Sequence, residues 1–543
     1  MLFCRLLPNK LSQISAEYVK PLLSGNRGLF IFMRRILLAI LSGLFLILSF
    51  PKYDFWFLAW VSLIPLLAAL RNVSPTFAFI LSFLTGITFL VATEYEFLSI
   101  YKTAWIDWVF YGIILGSFYG FFGLFYKYVL KRIRLSAVIV APVLWVTMEY
   151  FISHIDFLSY PFDLLGYSQS TNLPIIQISS LTGVYGVSFL IVMVNAALSE
   201  VILYFLNKKQ GKEINKPVTQ LKAVFITILL VTSALLYGFW SLLKQPNADK
   251  VAITVIQPNI VIDELNQNLL NEIMEKQAQL TKDAINGIRT NLIAWPEGAV
   301  MGLIYNDPKL LNVISVLAKE SNAYFIVGST RQAKYVHNNT QKKALANSAF
   351  LISPKGEVKG QYSKIRLSPF NEYLPYRYSI PWPSRYLKIE DTYVPGTEYK
   401  VFDMDGIKFG TTICWENSFP EHFRRFVKKG VNLMVNITNE GRLGETMLYK
   451  FLSINILRAV ENRVSIVRAA NTGITCFVDP YGRISGKVQT HQKETFIEGY
   501  LTKQIPLSYK RTFYTIYGDV FAFICIVTSI AMIILTVSKK KVS

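Results

Sequence analysis

Three residues of the chain have the types and settings that covalent catalysis needs. Cys414, in IKFGTTICWENSFPE, is delivered by an apolar strand to a turn where Asn417 or Ser418 can cap a helix starting near Pro420. A thiol at a helix N-terminus lies in a field that favours the thiolate. Glu297, in NLIAWPEGAV, follows a short apolar strand and a Trp-Pro turn, where desolvation raises a carboxylate towards the working range of a general base. Lys364, in GQYSKIRLSPFNEYLPYR, follows the turn at Pro354 and Gly356 and offers a fixed cation to a developing oxyanion. Singly, each has a plainer reading: a small buried hydrophobe, a capping or surface acid, a solvated lysine.

Metal chemistry is not expected. Cys4, Cys414, Cys476 and Cys525 are too scattered for a CxxC site, and His154, His337, His422 and His491 lack ligand spacing. A Cys414–Cys476 disulfide is conceivable in an oxidising compartment and would remove the nucleophile.

The elements that must position these residues are of two kinds. The 543 residues are 52% hydrophobic and only 17% charged, a balance that excludes disorder and points to a chain dissolved in lipid. Apolar stretches at 33–50, 55–70, 77–98, 104–126, 136–152, 185–206, 222–242 and 515–537 predict eight spans. The second is short and carries Pro65, with Trp56 and Trp60 as interfacial anchors. Residues 1–35, 71–76, 127–135, 207–222 and 538–543 hold 19 Lys and Arg against Glu17 and Glu213, most of the formal charge of +21. The intervening 51–54 and 99–103 carry one lysine each and 153–184 none, so the basic group is read as cytoplasmic. The excess is a topology signal, and no nucleic-acid partner is expected. Both termini then lie inside and 243–513 outside. The expected domains are a cytoplasmic extension (1–32), a membrane domain of seven spans (33–242), a periplasmic domain (243–513), and a last span with a basic tail (514–543). No cleaved leader is expected, and translation from Met1 or Met33 stays open.

From 248 the pattern becomes α/β, long enough for one sizeable domain. Strands are expected at 251–257, 291–295, 324–329, 347–352, 407–413, 431–437, 465–469 and 475–479, and helices at 264–288, 308–320, 419–429 and 445–462. The irregular stretch 365–398, with Tyr373, Tyr376, Tyr378, Trp382, Tyr386 and Tyr393, reads as a lid resting at headgroup level or as a packed aromatic loop. Among the acids near span ends, Glu94, Glu96, Asp107 and Glu149, the last is the best candidate for a buried partner, with no role assigned.

The acid after WPE, the lysine in YSKIRLSPFNE and the cysteine in CWE resemble the Glu-Lys-Cys triad of the nitrilase superfamily. LSGLFLILSFPKYDFWFLAWVSLIPLLAAL, LWVTMEYFISH, LLGYSQS and IQISSLTGVYGVSFLIVMVNAAL, with KIRLSPFNEYLPYR, TTICWE, VNITNE and RAANTGITCFVDPYG, narrow the resemblance to the apolipoprotein N-acyltransferase family, from about residue 36 to the C-terminus. The resemblance implies about eight spans and an extracytoplasmic α/β domain of α-β-β-α layering in a bacterial inner membrane. It implies Glu297 as base, Lys364 as oxyanion partner with the Trp415 N–H, Cys414 as nucleophile, and Glu372 and Glu416 as supporting acids. Trp382 and Tyr386 are the expected lipid contacts. The implied partners are a membrane phospholipid as acyl donor and a diacylglyceryl apolipoprotein as acceptor, with no cofactor and a monomeric chain. The sequence departs from the family after Asn439, where EGRLGETMLYKFLS follows, and after Ile260, where VIDELN follows. Both bear on the lipid path. A membrane-tethered nitrilase or amidase using water as acceptor is the alternative, and a non-catalytic binding module a further one.

Overall fold

A computed structural model describes residues 26–96, 104–133, 135–209, 217–244, 249–260, 267–304, 307–337, 340–383, 386, 393–441 and 443–538. Two compact units divide the chain: Met1–Met148, Phe189–Leu230 and Ile524–Ser543 form one, Glu149–Ser188 and Val231–Phe523 the other. Cys4 and most of the N-terminal extension lie outside the described residues.

The described residues contain seven helices long and apolar enough to cross a membrane: Gly28–Ser49, Pro75–Thr93, Trp108–Arg132, Ala137–His154, Val184–Lys209, Leu221–Leu243 and Val520–Ser538. The stretch 55–70 is the exception to the eight expected. It folds as a 3-10 turn, Trp56–Trp60, and a six-residue helix, Ile64–Ala69. Proline explains the break: without an N–H, Pro65 cannot continue a helix and instead opens one in its first turn. Pro142 sits inside the helix Ala137–His154, which continues through it. Within the first unit Pro75–Thr93 packs closely against Ala104–Arg132 because glycines line the contact. A Cβ on Gly120 would stand 2.7 Å from the Phe79 ring, and one on Gly86 2.7 Å from Tyr119. Small residues let membrane helices gain van der Waals contact where no hydrophobic drive exists.

The second unit is built on two sheets. Strands β1 Lys250–Gln257, β2 Leu292–Ala294, β3 Val300–Leu303, β4 Tyr324–His337, β5 Thr340–Ile352 and β6 Val358–Ser363 belong to the first. Strands β7 Val401–Met404, β8 Ile407–Ile413, β9 Leu433–Thr438, β10 Ser465–Ala470, β11 Cys476–Val478 and β12 Ile484–Lys487 form the second. The last strand, β13 Gly499–Pro506, returns to pair antiparallel with β1. The first sheet runs β13-β1-β2-β4-β5-β6 with β3 beside β4, the second β12-β11-β10-β9-β8-β7. At the centre of each sheet three strands are parallel, β1-β2-β4 and β8-β9-β10. Parallel strands are buried on both faces, and β2, β9 and β10 have no exposed residue.

The sheets meet through β1 against β10 and β5 against β8. Helices Gln267–Ile285 and Pro308–Ser321 cover the first sheet, with Met274, Ile314 and Leu317 in one core with Ile293, Trp295, Phe325 and Phe350. Helices Pro420–Lys428 and Glu445–Asn462 cover the second. The layering is the expected α-β-β-α. Strands β3, β6, β7, β12 and β13 escaped the sequence reading. Several are edge strands with polar residues on the open face, such as VKGQYS and ISGK, which hides a two-residue period.

Trp295 is fully buried, sets its ring edge-on to Phe325 and donates its indole N–H to Thr281 Oγ1 at 3.0 Å. Replacement by alanine leaves a cavity and removes the donor to Thr281, whose hydroxyl still donates to the Gln277 carbonyl at 2.7 Å, and is expected to cost about 3–5 kcal/mol. Trp295→Ala protein in detergent should unfold at a markedly lower temperature than Trp295→Phe. Equal midpoints would show that this core does not limit stability.

Candidate active site

The three residues singled out first in the sequence, and Asn439 with them, follow strand ends. Glu297 comes three residues after β2, Cys414 directly after β8, Asn439 directly after β9, and Lys364 directly after β6. In open α/β sheets the groups beyond the carboxyl ends of parallel strands, here Glu297, Cys414 and Asn439, are free of ladder bonds and point into a shared crevice, while Lys364 comes from the end of the antiparallel edge strand β6. The Trp295 N–H is still tied to the Ile326 carbonyl at 2.9 Å, so the turn at 296–298 begins from a fixed point. Gly328 lies against that turn: a Cβ there would collide with the Pro296 carbonyl and stand 2.7 Å from Glu297 Cα.

The Glu297 carboxylate is held at both oxygens. Oε1 accepts from Asn347 Nδ2 at 2.7 Å and Oε2 from the Asn439 N–H at 2.9 Å. Lys364 Nζ stands 3.7 Å from Glu297 Oε1 and 2.9 Å from Glu372 Oε2. Glu372 in turn accepts from Asn347 Nδ2 at 3.0 Å and the Ser368 N–H at 2.7 Å. Two carboxylates, one buried ammonium and one amide thus form a single network. Sequence reasoning missed Asn347 and Asn439. An amide in the mostly apolar run ALANSAFLI was the signal for the first.

Charges in this network set one another's ionisation. Burial pushes Glu297 above the ordinary carboxylate range, with Glu372 adding to the rise and Lys364 opposing it. Burial works against the Lys364 ammonium, but Glu372, Cys414 and Glu297 outweigh it and hold its pKa above the ordinary lysine value. Cys414 is a free thiol, as is Cys476, so the disulfide is not formed. Its pKa is raised well above that of an ordinary cysteine, first by burial and then by Glu297, while Lys364 pulls it down. This corrects the expectation of a thiolate favoured by a helix N-terminus. Residues Cys414–Ser418 form a 3-10 turn, and the helix Pro420–Lys428 has Phe419 at its N-cap with no side-chain bond. Neither Asn417 nor Ser418 caps it: Asn417 accepts from the Thr412 hydroxyl and donates to Asn455 Oδ1 at 2.5 Å. Burial and the neighbouring carboxylates thus favour the protonated sulfur.

Glu416 lies at the crossing of two segments. Its Oε1 accepts from the Ile365 and Arg366 N–H groups at 2.7 and 3.0 Å, its Oε2 from the Ile413 N–H at 2.9 Å, and Tyr362 Oη donates to both oxygens at 2.9 Å. Burial pulls this carboxyl up, but His422 and the Ile413 and Arg366 N–H groups outweigh it and hold it below the ordinary value. Trp415 Nε1 donates to the Arg366 carbonyl at 2.7 Å. The Lys364 segment and the Cys414 turn are therefore bonded to each other directly. Cys414 has φ of 57°, an uncommon conformation for a residue with a side chain. Beneath the turn, Asn436 Nδ2 donates to the Cys414 carbonyl at 3.2 Å, and Arg468 bridges Asn436 and Glu440.

Trp382 and Tyr386 pack with Phe370, their rings 5.2 and 5.4 Å from it. Phe157 joins edge-on to Phe370 and Trp382, Tyr376 Oη donates to Asp156 Oδ2 at 2.6 Å, and Tyr378 stays exposed. Phe162 stacks on Trp415, with centroids 6.4 Å apart, and Asp163 forms a buried ion pair with Lys450 at 2.7 Å. Glu149 Oε1 accepts from the Leu165 N–H at 2.7 Å. Of the two departures, Glu445–Asn462 is an uninterrupted helix, whereas 261–266 and Arg442 lie outside the described residues.

Two family models match the chain: "Apolipoprotein N-acyltransferase N-terminal domain" over residues 42–197 and "Carbon-nitrogen hydrolase" over residues 252–513. An apolipoprotein N-acyltransferase of Geobacter metallireducens is 33% identical, with 94% of this chain and 96% of that protein covered. The chain belongs to the apolipoprotein N-acyltransferase family. Apolipoprotein N-acyltransferase 1 of Treponema denticola is 28% identical over 93% of this chain and 96% of its own, and the enzyme of Chlorobaculum tepidum 28% identical over 90% and 94%. Such coverage leaves membrane helices and α/β domain together in one family, and the chain is a membrane protein with a nitrilase-like domain.

If Glu297 and Lys364 act on the thiol with opposite sign, as the charges require, their neutral variants should move its titration in opposite directions. The pH midpoint of Cys414 alkylation by iodoacetamide is expected to fall in Glu297→Gln and rise in Lys364→Met. A shift of the same sign in both would contradict this electrostatic arrangement.

Proposed function

We propose that the chain moves a fatty acyl group from a membrane phospholipid, through a thioester on Cys414, to the α-amine of a diacylglyceryl-cysteine at an apolipoprotein N-terminus. The observation that carries this reading is a buried carboxylate fixed at both oxygens, an ammonium beside it, and a protonated free thiol that both charges act on. Glu297 takes the Cys414 proton as the sulfur attacks the ester carbonyl. Lys364 and the Trp415 N–H stabilise the oxyanion, a kind of interaction worth about 3 kcal/mol per donor. The C–O bond breaks, the lysophospholipid leaves with the proton from Glu297, and the acyl group stays on sulfur. The amine then attacks the thioester, Glu297 accepts its proton and passes it to the sulfur as the C–S bond breaks, giving an amide and the free thiol. A thiol suits both halves, because its ester remains reactive to amines. One site serving two substrates in turn implies ping-pong kinetics.

The roles are distributed accordingly. Glu372 fixes the Lys364 ammonium, and Glu416 fixes the backbone on either side of the site. The placement proposed for this chemistry is the periplasmic side of a bacterial inner membrane, with both termini cytoplasmic. The alternation of basic segments supports it, and it requires the broken segment 55–70 to return the chain to the side of Arg71. The cluster of Phe370, Trp382 and Tyr386 is proposed as the lipid-side lid, because such rings prefer the headgroup level.

Incubation of the protein with phospholipid should add one acyl mass to the peptide containing Cys414, absent in Cys414→Ala, and a diacylglyceryl peptide should then convert the adduct to amide. No adduct with labelled lipid in excess would sink the covalent mechanism, and free fatty acid without amide would assign the site to hydrolysis. Trp382→Ser with Tyr386→Ser is expected to lower activity on membrane lipid severalfold more than on a short soluble thioester. Equal loss on both would remove the lid.

A further inference from the structure

The membrane unit holds a cavity of about 130 Å³ that the acyl-transfer reading does not use, several times the roughly 10–15 Å³ that admits one water. Arg71, Asn72, Tyr126, Lys127, Ser199 and Glu200 are among its lining residues. Arg71 follows the helix Ile64–Ala69, Tyr126 and Lys127 lie near the end of Ala104–Arg132, and Glu200 is on Val184–Lys209. Arg35 joins from the helix Asn26–Ser49, its Nη2 donating to the Arg71 carbonyl at 3.0 Å.

We infer that this cavity binds a phosphate-bearing anion, and that the occupant is the headgroup of an anionic phospholipid. Three observations converge. First, the cations come from separate helices yet act on one another: the charges of Arg71, Arg35 and Lys131 all fall on Lys127. Gathering like charge at a partly desolvated place is unfavourable unless an anion completes it. Second, neither Arg71 nor Lys127 makes an ion pair with any described residue, and Glu200 is the one acid in the lining. Third, Tyr126 is only 6% exposed, lines the cavity, and its hydroxyl has no hydrogen bond to a described residue. That hydroxyl opens on the cavity, where a phosphate oxygen can accept its hydrogen bond.

Ordinary topology accounts for basic residues at a span end. It does not account for their convergence, from separate helices, on one cavity that a tyrosine hydroxyl also lines. Arginine and lysine there match phosphate as fork and point charge, and apolar Leu67, Leu70 and Leu203 line the same cavity, which suits the start of an acyl chain. That combination favours a lipid over a free ion.

The full-length protein in detergent is heated with phosphatidylglycerol, with phosphatidylcholine, or with inorganic phosphate. Phosphatidylglycerol is expected to raise the unfolding midpoint and to remain bound in native mass spectra. In Arg71→Gln with Lys127→Gln, binding should weaken about tenfold or more. Tyr126→Phe, which removes only the hydroxyl, should weaken it less and unfold like the parent in phosphatidylcholine. Stabilisation by inorganic phosphate equal to that by phosphatidylglycerol, and lost in the same variants, would retain the phosphate site but overturn the lipid as occupant. No stabilisation by either, or stabilisation untouched by all variants, would overturn the proposal.

Discussion

The Glu416 carboxylate binds the backbone of two segments that are remote in sequence, and the candidate site depends on that bond set. Lys364 lies at the end of an antiparallel edge of one sheet and Cys414 at the end of a parallel strand in the other. Nothing in either sheet's own ladder fixes one relative to the other. Glu416 does so by accepting N–H groups from Ile365 and Arg366 on one side and Ile413 on the other, with Tyr362 closing the remaining lone pairs. A buried carboxylate is tolerable because these donors replace its water. Its low pKa keeps it an acceptor and rules it out as an exchanging acid.

Around this staple the charge balance is uneven. Glu297 and Glu372 share one ammonium, Lys364, and the thiol faces the surplus of negative charge. The consequence is a sulfur that keeps its proton until a base removes it. In the proposed mechanism Glu297 is that base: burial raises it while two hydrogen bonds prevent it from turning away. The acid therefore combines readiness to accept a proton with a fixed direction, which suits general-base work better than an exposed carboxylate.

The membrane unit obeys a different solvent. Glycines that let side chains such as Phe79 and Tyr119 lie against the opposite helix bring Pro75–Thr93 and Ala104–Arg132 together, because lipid rewards close packing and not burial of apolar area. Among its polar features is the cavity lined by Arg71, Lys127 and Tyr126.

The sequence by itself determined the long spans, the alternation of basic segments, the central strands, and the order of acid, lysine and thiol. These are local: a span needs only length and apolarity, and a buried parallel strand announces itself as a continuous apolar run. Tertiary structure alone decided what pairs across distance. Asn347 and Asn439 became the holders of Glu297, and Glu416 a staple, only once two sheets had met. The thiol's raised pKa is likewise a sum over burial and four charges from separate loops, and no local pattern carries that sum.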